Sequence, residues 1–464
     1  VCASIVLTVV IGLLGPSSFV PALGGPAWQP PYSLDLHPDP HLMVLLATAA
    51  IVLGAAGVML GLRAIALPPR ALVTLGSLAA AVLAFLPPSG SADHLNYAAY
   101  GRMVVLGLSP YTHGAVDLPA DPIASAVEQP WREEPSVYGP AATAVQALAS
   151  WVGGDSMRLT IFVLALVNAA AFIATGLLID RFTRDDPAAR TRAALLWTAN
   201  PLLLYHLVAG MHIDTLAIAC MVAGLLARGN LVRSGLLLGL GVAIKLNAGI
   251  VALGPAWELR RRPGRLAVMA GTAVAVVALG YALTGTQALA PVTRTSKSVS
   301  LASYWKLVQG WLQTVIGTGS AYRGEIQIGS LAVMVLLGWL LFRWASARSA
   351  ELGAPEVAVI VAVAYVFGTP YVLPWYDGLA FGVLALVAAS ALDTFVVAHL
   401  LVLSLAYLPA RVEGQAGDLG WLTGVVRAQI APWLVLVLTA GLGWWAWRAG
   451  ARARRRPASA AQPP

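Results

Sequence analysis

The chain has 464 residues, 58% of them hydrophobic and 11% charged, and its mean hydropathy is +0.76. No water-soluble core accommodates that much apolar surface, so the composition describes a polytopic membrane protein. The net charge of +8 is not a nucleic-acid signal, because the basic residues form no stripe beside aromatic base-stackers; they sit between apolar segments, as the positive-inside rule expects.

A helix needs about 20 apolar residues to cross the hydrocarbon layer. In chain order, crossings are predicted at 1–14, 41–62, 71–86, 157–179, 192–209, 213–227, 266–285, 327–342, 356–373, 377–392, 394–410 and 428–447. The chain opens at Val1 inside an apolar run with no evident cleavable signal, so a few upstream residues are expected. Cys2 and Cys220 both fall in apolar segments and read as buried structural thiols, implying neither disulfide nor redox chemistry.

With the N-terminus cytoplasmic, the inner loops hold Arg63, Arg70, Arg181, Arg184, Arg190, Arg192, Arg228, Arg233, Arg260, Arg261, Arg262, Arg265, Arg343 and Arg348. The tail adds Arg448, Arg452, Arg454, Arg455 and Arg456, making nineteen of the 29 basic residues. The outer side keeps the long loops 15–40, 87–156 and 286–326. Residues 234–257 are flanked by inner arginines at both ends, so they must enter and return, breaking near Lys245–Gly249 and Pro255. Lys245 itself reads as lying near the inner side, able to snorkel to cytoplasmic headgroups. The expected fold is all-α: one transmembrane domain over 1–450 with about 12–14 transmembrane helices, a broken or re-entrant hairpin, and interfacial helices in the first large outer loop. Residues 451–464 read as a basic, disordered cytoplasmic tail near anionic headgroups.

The polar island Ser91–Gly139 begins where the third span leaves the bilayer. Asp93 stands at that lip. A carboxylate beside apolar helix ends has a reason for a raised pKa, which suits a general base; capping the helix HLNYAAYGRMVVLG is the competing role. Tyr97 and Tyr100 follow at i+4 and i+7 on the same face, with Asn96 beside them and Arg102 just beyond. An acid, two phenols and a guanidinium suit a sugar hydroxyl with a phosphate nearby. Tyr111, Trp131, Arg132 and Tyr138 lie further along, where aromatic rings serve sugar faces or membrane anchoring. Residues 141–152 are amphipathic and too short to span, as in an interfacial helix.

Two later turns face the same side. Asn200, His206, His212 and Asp214 lie around a tight turn between spans, suited to hydrogen bonds with sugar or phosphate oxygens, or less readily to a divalent metal. Trp375 and Tyr376 stand in a Pro-broken turn before Asp377, compatible with a cavity rim. Loop 286–326 carries Arg294, Lys297, Lys306 and Arg323 on the side otherwise poor in positive charge, which points to an anionic partner or to headgroup contact.

With these residues assembled, the chain resembles the GT-C superfamily of polytopic glycosyltransferases. Within it, the nearest likeness is to the actinobacterial polyprenol-phosphate-mannose-dependent α-(1→6)-mannosyltransferases. The resemblance covers roughly residues 60–420 and rests on SADHLNYAAYGRMVVLGLSPY, PSVYGPAATAVQALASWVGG, WTANPLLLYHLVAGMHIDTLA and GLGVAIKLNAGIVALGP. It implies that Asp93 is the catalytic base, that the interfacial helices border a lipid-linked donor, and that the Asn200-Pro201 to His212-x-Asp214 turn faces the same cavity. His94 occupies the place where many members carry a second acid, and is grouped here with the substrate-binding residues. No metal or other cofactor is expected.

The expected reaction is an inverting transfer on the outer face of a bacterial plasma membrane, with both termini cytoplasmic. The implied donor is polyprenyl-monophosphate mannose and the acceptor a growing lipid-anchored mannan, with membrane lipids as surroundings. Arg102, Arg294, Lys297 or Lys306 would clamp the departing phosphate. The alternatives are a transferase for another polyprenyl-phosphate sugar, such as arabinofuranose, and a lipid-linked sugar transporter or flippase.

Overall fold

The computed structural model describes residues 1–63, 68–289, 298–349 and 351–455. Arg294, Lys297 and the tail after Arg455 lie outside the described residues. Among the described residues the chain is helical, with no strand. The main helices are α1 (Cys2–Leu14), α2 (Pro40–Gly61), α3 (Pro69–Ala84), α4 (Asp93–Val105), α5 (Pro140–Gly153) and α6 (Met157–Thr183). Next come α7 (Pro187–Leu196), the short α8 (Pro201–Leu203), α9 (Asp214–Leu226), α10 (Leu231–Ile244), α11 (Leu253–Glu258) and α12 (Pro263–Thr284). The remainder are α13 (Trp305–Val315), α14 (Arg323–Ser346), α15 (Ala354–Gly368), α16 (Asp377–Leu384), α17 (Leu392–Tyr407) and α18 (Ala431–Arg455). Five helical stretches are long and apolar enough to cross a membrane, by length and composition, and six shorter apolar helices accompany them.

Ion pairs show which ends of several helices meet. Arg192 holds Asp393 through two contacts of 2.6 Å and also donates to the carbonyls of Leu384 and Val387. This places the start of α7, the end of α16 and the start of α17 at one end of the bundle. Arg190 and Asp180 pair at the same end. Arg228, just beyond α9, lies 3.4 Å from Glu258 at the end of α11, and Glu258 also accepts from the Ala354 amide at the start of α15. Arg190, Arg192 and Arg228 therefore collect at one end of the molecule.

The Arg228–Glu258 contact settles the 231–258 segment. It enters as α10, breaks at Lys245, returns as a 3₁₀ turn (Leu246–Ala252) and α11, and closes beside its own start. At 1.5 Å per residue, α10 carries its C-terminus about 20 Å into the bundle. Lys245 thus sits at the end opposite the arginines, not near them as its flanks suggested. The break turns the chain around there, and a neighbouring carboxylate offers the ammonium a better partner than a distant headgroup.

Three smaller readings need correction. Cys2 is exposed and Cys220 only partly covered, so neither is the fully buried thiol expected from its apolar surroundings. The last helix continues through Arg455, into the segment expected to be disordered, because Ala and Arg are both strong helix formers. Asn200 does not sit in the outer turn: it is fully buried, caps α8 by accepting from the Leu202 and Leu203 amides, and neighbours Thr198, whose carbonyl touches mid-α3 at Gly76.

Removing one partner of the buried Arg192–Asp393 pair leaves an uncompensated charge. Arg192→Met is expected to destabilise the protein by about 3–5 kcal/mol, and the double variant R192M/D393L to recover most of that loss. Denaturant unfolding in detergent measures it; a single variant as stable as the parent would show that the pair is not holding the helix ends.

Candidate active site

At the opposite end, charge gathers in a small space. Ser91 Oγ accepts from the Asp93 amide (3.1 Å) and starts α4, so the carboxylate is not needed as the cap. Asp93 Oδ2 lies 3.5 Å from Tyr97 Oη and 3.4 Å from His212 Nδ1. Tyr97 Oη in turn lies 3.1 Å from Tyr138 Oη, the two rings meeting edge to face at 5.1 Å. Asp214 opens α9 and accepts from Lys245 Nζ at 2.5 Å. The same ammonium stands 4.3 Å from the Tyr376 ring centre and 5.8 Å from that of Tyr138. Trp375 lies flat on His212, centroids 3.6 Å apart, and Tyr407 meets Trp375 edge on at 5.1 Å.

Close backbone approaches hold these parts in register. Met211, in the left-handed region at φ 53°, turns the chain out of the 204–209 helical turn so that His212 and Asp214 face α4. Gly139 donates its amide to the Ile244 carbonyl at 3.0 Å, and a Cβ there would come within 2.2 Å of the Ala243 carbonyl. That contact seats Tyr138 beside Lys245. On the far side, Ser300 donates its amide to the Pro370 carbonyl and exchanges hydrogen bonds with Val372, and Trp305 donates to the Gly368 carbonyl. The second large loop thereby packs under the turn that presents Trp375.

Burial pushes the Asp93 carboxyl up, but His212 and then Lys245 outweigh it and hold the group below the ordinary carboxylate value. The raised pKa anticipated from its position at a membrane lip is therefore corrected: the His212 contact and nearby charge win over desolvation. Burial, and after it the charges of Asp93 and Asp214, push the Tyr97 hydroxyl well above its ordinary range, so it stays protonated and can donate. Burial drives His94 down to about 3, with Arg411 adding to the shift, and neither ring nitrogen has a partner. A neutral, fully buried His94 does not replace a second acid.

Of the sequence-derived candidates, the structure brings together Asp93, Tyr97, Tyr138, His212, Asp214, Trp375 and Tyr376. Asn96 lies one turn along α4, and Tyr100 donates to the Glu134 carbonyl. The others have work elsewhere. Arg102 is bound to Asp121 (2.7 Å) and Asp155 (2.6 Å), tying the loop to the end of α5. Tyr111 bonds Thr143, Arg132 donates to the Ser125 carbonyl, and Trp131 is exposed. His206 bonds Ser404 at 2.7 Å. Lys306 donates to Gln309 at 2.7 Å. Lys245 and Tyr407 were not among the sequence-derived site residues. An ionisable group within an apolar segment was the available signal for Lys245; nothing distinguished Tyr407. Among the described residues, no three His, Cys, Asp or Glu side chains converge as a metal-binding group.

A family model described as "Alpha-(1->6)-mannopyranosyltransferase, N-terminal domain" matches residues 6–261, a stretch holding Asp93, Tyr97, Tyr138, His212, Asp214 and Lys245. Over 326 residues the chain is 26% identical to alpha-(1->6)-mannopyranosyltransferase A of Corynebacterium glutamicum, covering 63% of this chain and 66% of that protein. Over 319 residues it is 28% identical to alpha-(1->6)-mannopyranosyltransferase A of Mycobacterium tuberculosis, covering 62% and 60%. The chain thus matches less than two thirds of the length of these curated relatives. A solved structure, the apo oligosaccharyltransferase of Archaeoglobus fulgidus, overlays at TM-score 0.37 and 14% identity, covering 83% of this chain and 56% of that one, a likeness too distant to carry an argument.

Gly139→Ala forces the Tyr138 loop away from α10. An overpacked contact of this kind is expected to cost about 1–3 kcal/mol, whereas Gly264→Ala, which meets open space, leaves the thermal midpoint unchanged. Indistinguishable midpoints for the two variants would show that the seam at Ala243 is slack.

Proposed function

The chain belongs to the alpha-(1→6)-mannopyranosyltransferase family, and from its site geometry we propose that it is a membrane mannosyltransferase. The reading takes the donor as polyprenyl-monophosphate mannose and the acceptor as a lipid-anchored mannan, joined with inversion in α-(1→6) linkage on the outer membrane face. The Arg-rich end then faces the cytoplasm, in line with the positive-inside rule.

One observation carries the assignment of roles. The Asp93 side chain is 24% exposed, while its neighbour Asp214 is 6% exposed and its nearby His212 fully buried. Asp93 is the acid an incoming hydroxyl can reach. In the proposed step, the acceptor oxygen attacks the anomeric carbon and its proton passes to Asp93. The bond from that carbon to the phosphate oxygen breaks, and the electron pair leaves on the lipid phosphate. Asp93 works as an ionised base kept so by His212 and Lys245. Its proton affinity is modest, which suits a transfer completed only as the new glycosidic bond forms. Tyr97 and Tyr138 donate to oxygens, and Trp375, backed by Tyr407, offers a flat apolar wall. The departing phosphate gains negative charge, and the Lys245 ammonium is the cation within the cluster to meet it. The scheme routes no step through a metal or other cofactor.

Asp93→Asn in membranes supplied with labelled donor is expected to lower transfer about 10²–10⁴-fold, the usual range for loss of a general base. Unchanged transfer would remove Asp93 from the mechanism, and a faster reaction with another polyprenyl-phosphate sugar would overturn mannose. The pH profile is a separate check. The folded Asp93 pKa is depressed below 3.8, so the base stays ionised until pH falls through that lower value; its contribution to stability is full above the ordinary carboxylate value and is lost between the two. The rate is expected to hold from neutrality down to about pH 4; an acid limb centred between pH 5 and 6 would assign the base to a group with a raised pKa.

A further inference from the structure

A cavity of about 450 Å³, lined by Trp339, Phe342, Arg343 and Ser346, lies near the C-terminus of α14. It is far from the Asp93 cluster. Trp305, which bonds the Gly368 turn, touches α14 at Gly329 near its other end. Fourteen residues separate Gly329 from Arg343, or about 21 Å along the helix.

The chemistry of this groove is one-sided. The Arg343 guanidinium lies over Trp339 at 5.7 Å, yet its Nε is buried and has no hydrogen-bond partner. Three more arginines of this chain stand on indole faces: Arg260 on Trp257 (4.0 Å), Arg348 on Trp344 (5.3 Å) and Arg448 on Trp444 (4.1 Å). Trp257 packs edge on against Phe342 of the groove at 5.1 Å. Gly450, on the last helix, approaches the Arg343 side chain, its position for a Cβ 3.8 Å from Cγ. Among the described residues none of these four guanidinium groups pairs with a carboxylate. The nearby Glu258 is already taken by Arg228 and the Ala354 amide.

A buried donor without an acceptor is costly, and a membrane-facing apolar cleft is filled by lipid chains. We propose that this groove is a binding site for one anionic glycerophospholipid. Its phosphodiester accepts from Arg343, its remaining charge is shared with Arg260, and an acyl chain lies along Trp339 and Phe342. The site is distinct from the proposed donor site and does not depend on the transfer reaction. Charge complementarity selects this occupant: a zwitterionic headgroup would add a cation beside Arg343, the one charged group of the lining.

The test uses the full chain purified in detergent and titrated with dioleoylphosphatidylglycerol or dioleoylphosphatidylcholine, read by native mass spectrometry and by the thermal midpoint. The wild type is expected to retain the phosphatidylglycerol selectively and to melt higher in its presence. R343Q is expected to bind it about fivefold more weakly, the loss usual for one basic contact to an anionic lipid. R233Q removes an exposed arginine at the same end of the molecule, outside the groove, and is expected to bind as the wild type does. If R343Q fails to fold, R260Q serves as the second groove variant with the same expected loss. Equal retention by groove variants and R233Q, or equal retention of both lipids by the wild type, would overturn the proposal.

Discussion

A carboxylate or an ammonium inside an apolar bundle has to find its counter-charge within the protein, because no water is at hand to solvate it. Here that requirement is met by linking two groups across three helices. Asp93 at the head of α4 faces His212, and Asp214 at the head of α9 holds Lys245 at the break after α10. The cluster explains why α10 stops where it does. Carrying the helix past Lys245 would take the ammonium away from Asp214, so the chain turns and leaves by a 3₁₀ segment. It explains too why the loop after α4 must come back across the bundle, since Tyr138 closes the space between the two acids.

The rest of the fold serves that convergence. Ion pairs at the Arg-rich end align the helix starts: Arg192 with Asp393, Arg190 with Asp180, Arg228 with Glu258. Glycines allow the backbones to meet where no side chain fits, and Gly139 against Ala243 and Gly101 against Gln146 are the tightest near the site. Polar bonds at the other end, such as Arg411 to Glu128 and to the Ser17 carbonyl, join the terminal loops over it. The two ends of the molecule thus have different characters: one binds several of its arginines to carboxylates, while the other balances its charges internally and keeps one acid partly open.

Legibility from sequence followed the range of the physics involved. Apolar runs, Pro starts and Arg-rich loops are local, and they marked the helical character of the chain and the entry and return expected of 234–257. The position of Asp93 after a hydrophobic span was local too. Whether Arg102 was free was not local. Its partners Asp121 and Asp155 are 19 and 53 residues away, and without them an arginine beside the acid reads as a phosphate ligand. His206 likewise looked equivalent to His212, yet the one turns to Ser404 and the other stacks on Trp375.

From its residues alone, the chain is a polytopic helical protein with an acid at the mouth of its third span. Period, length and charge bias act within a few turns of helix and need no folded partner. Which groups surround that acid, and the direction in which they move its proton affinity, was decided by tertiary structure. Lys245 comes from 152 positions further along the chain than Asp93, and only the turn at its own helix break brings it to the site. Desolvation was readable from position, but the opposing pull of His212 and Lys245 exists only once the helices have met.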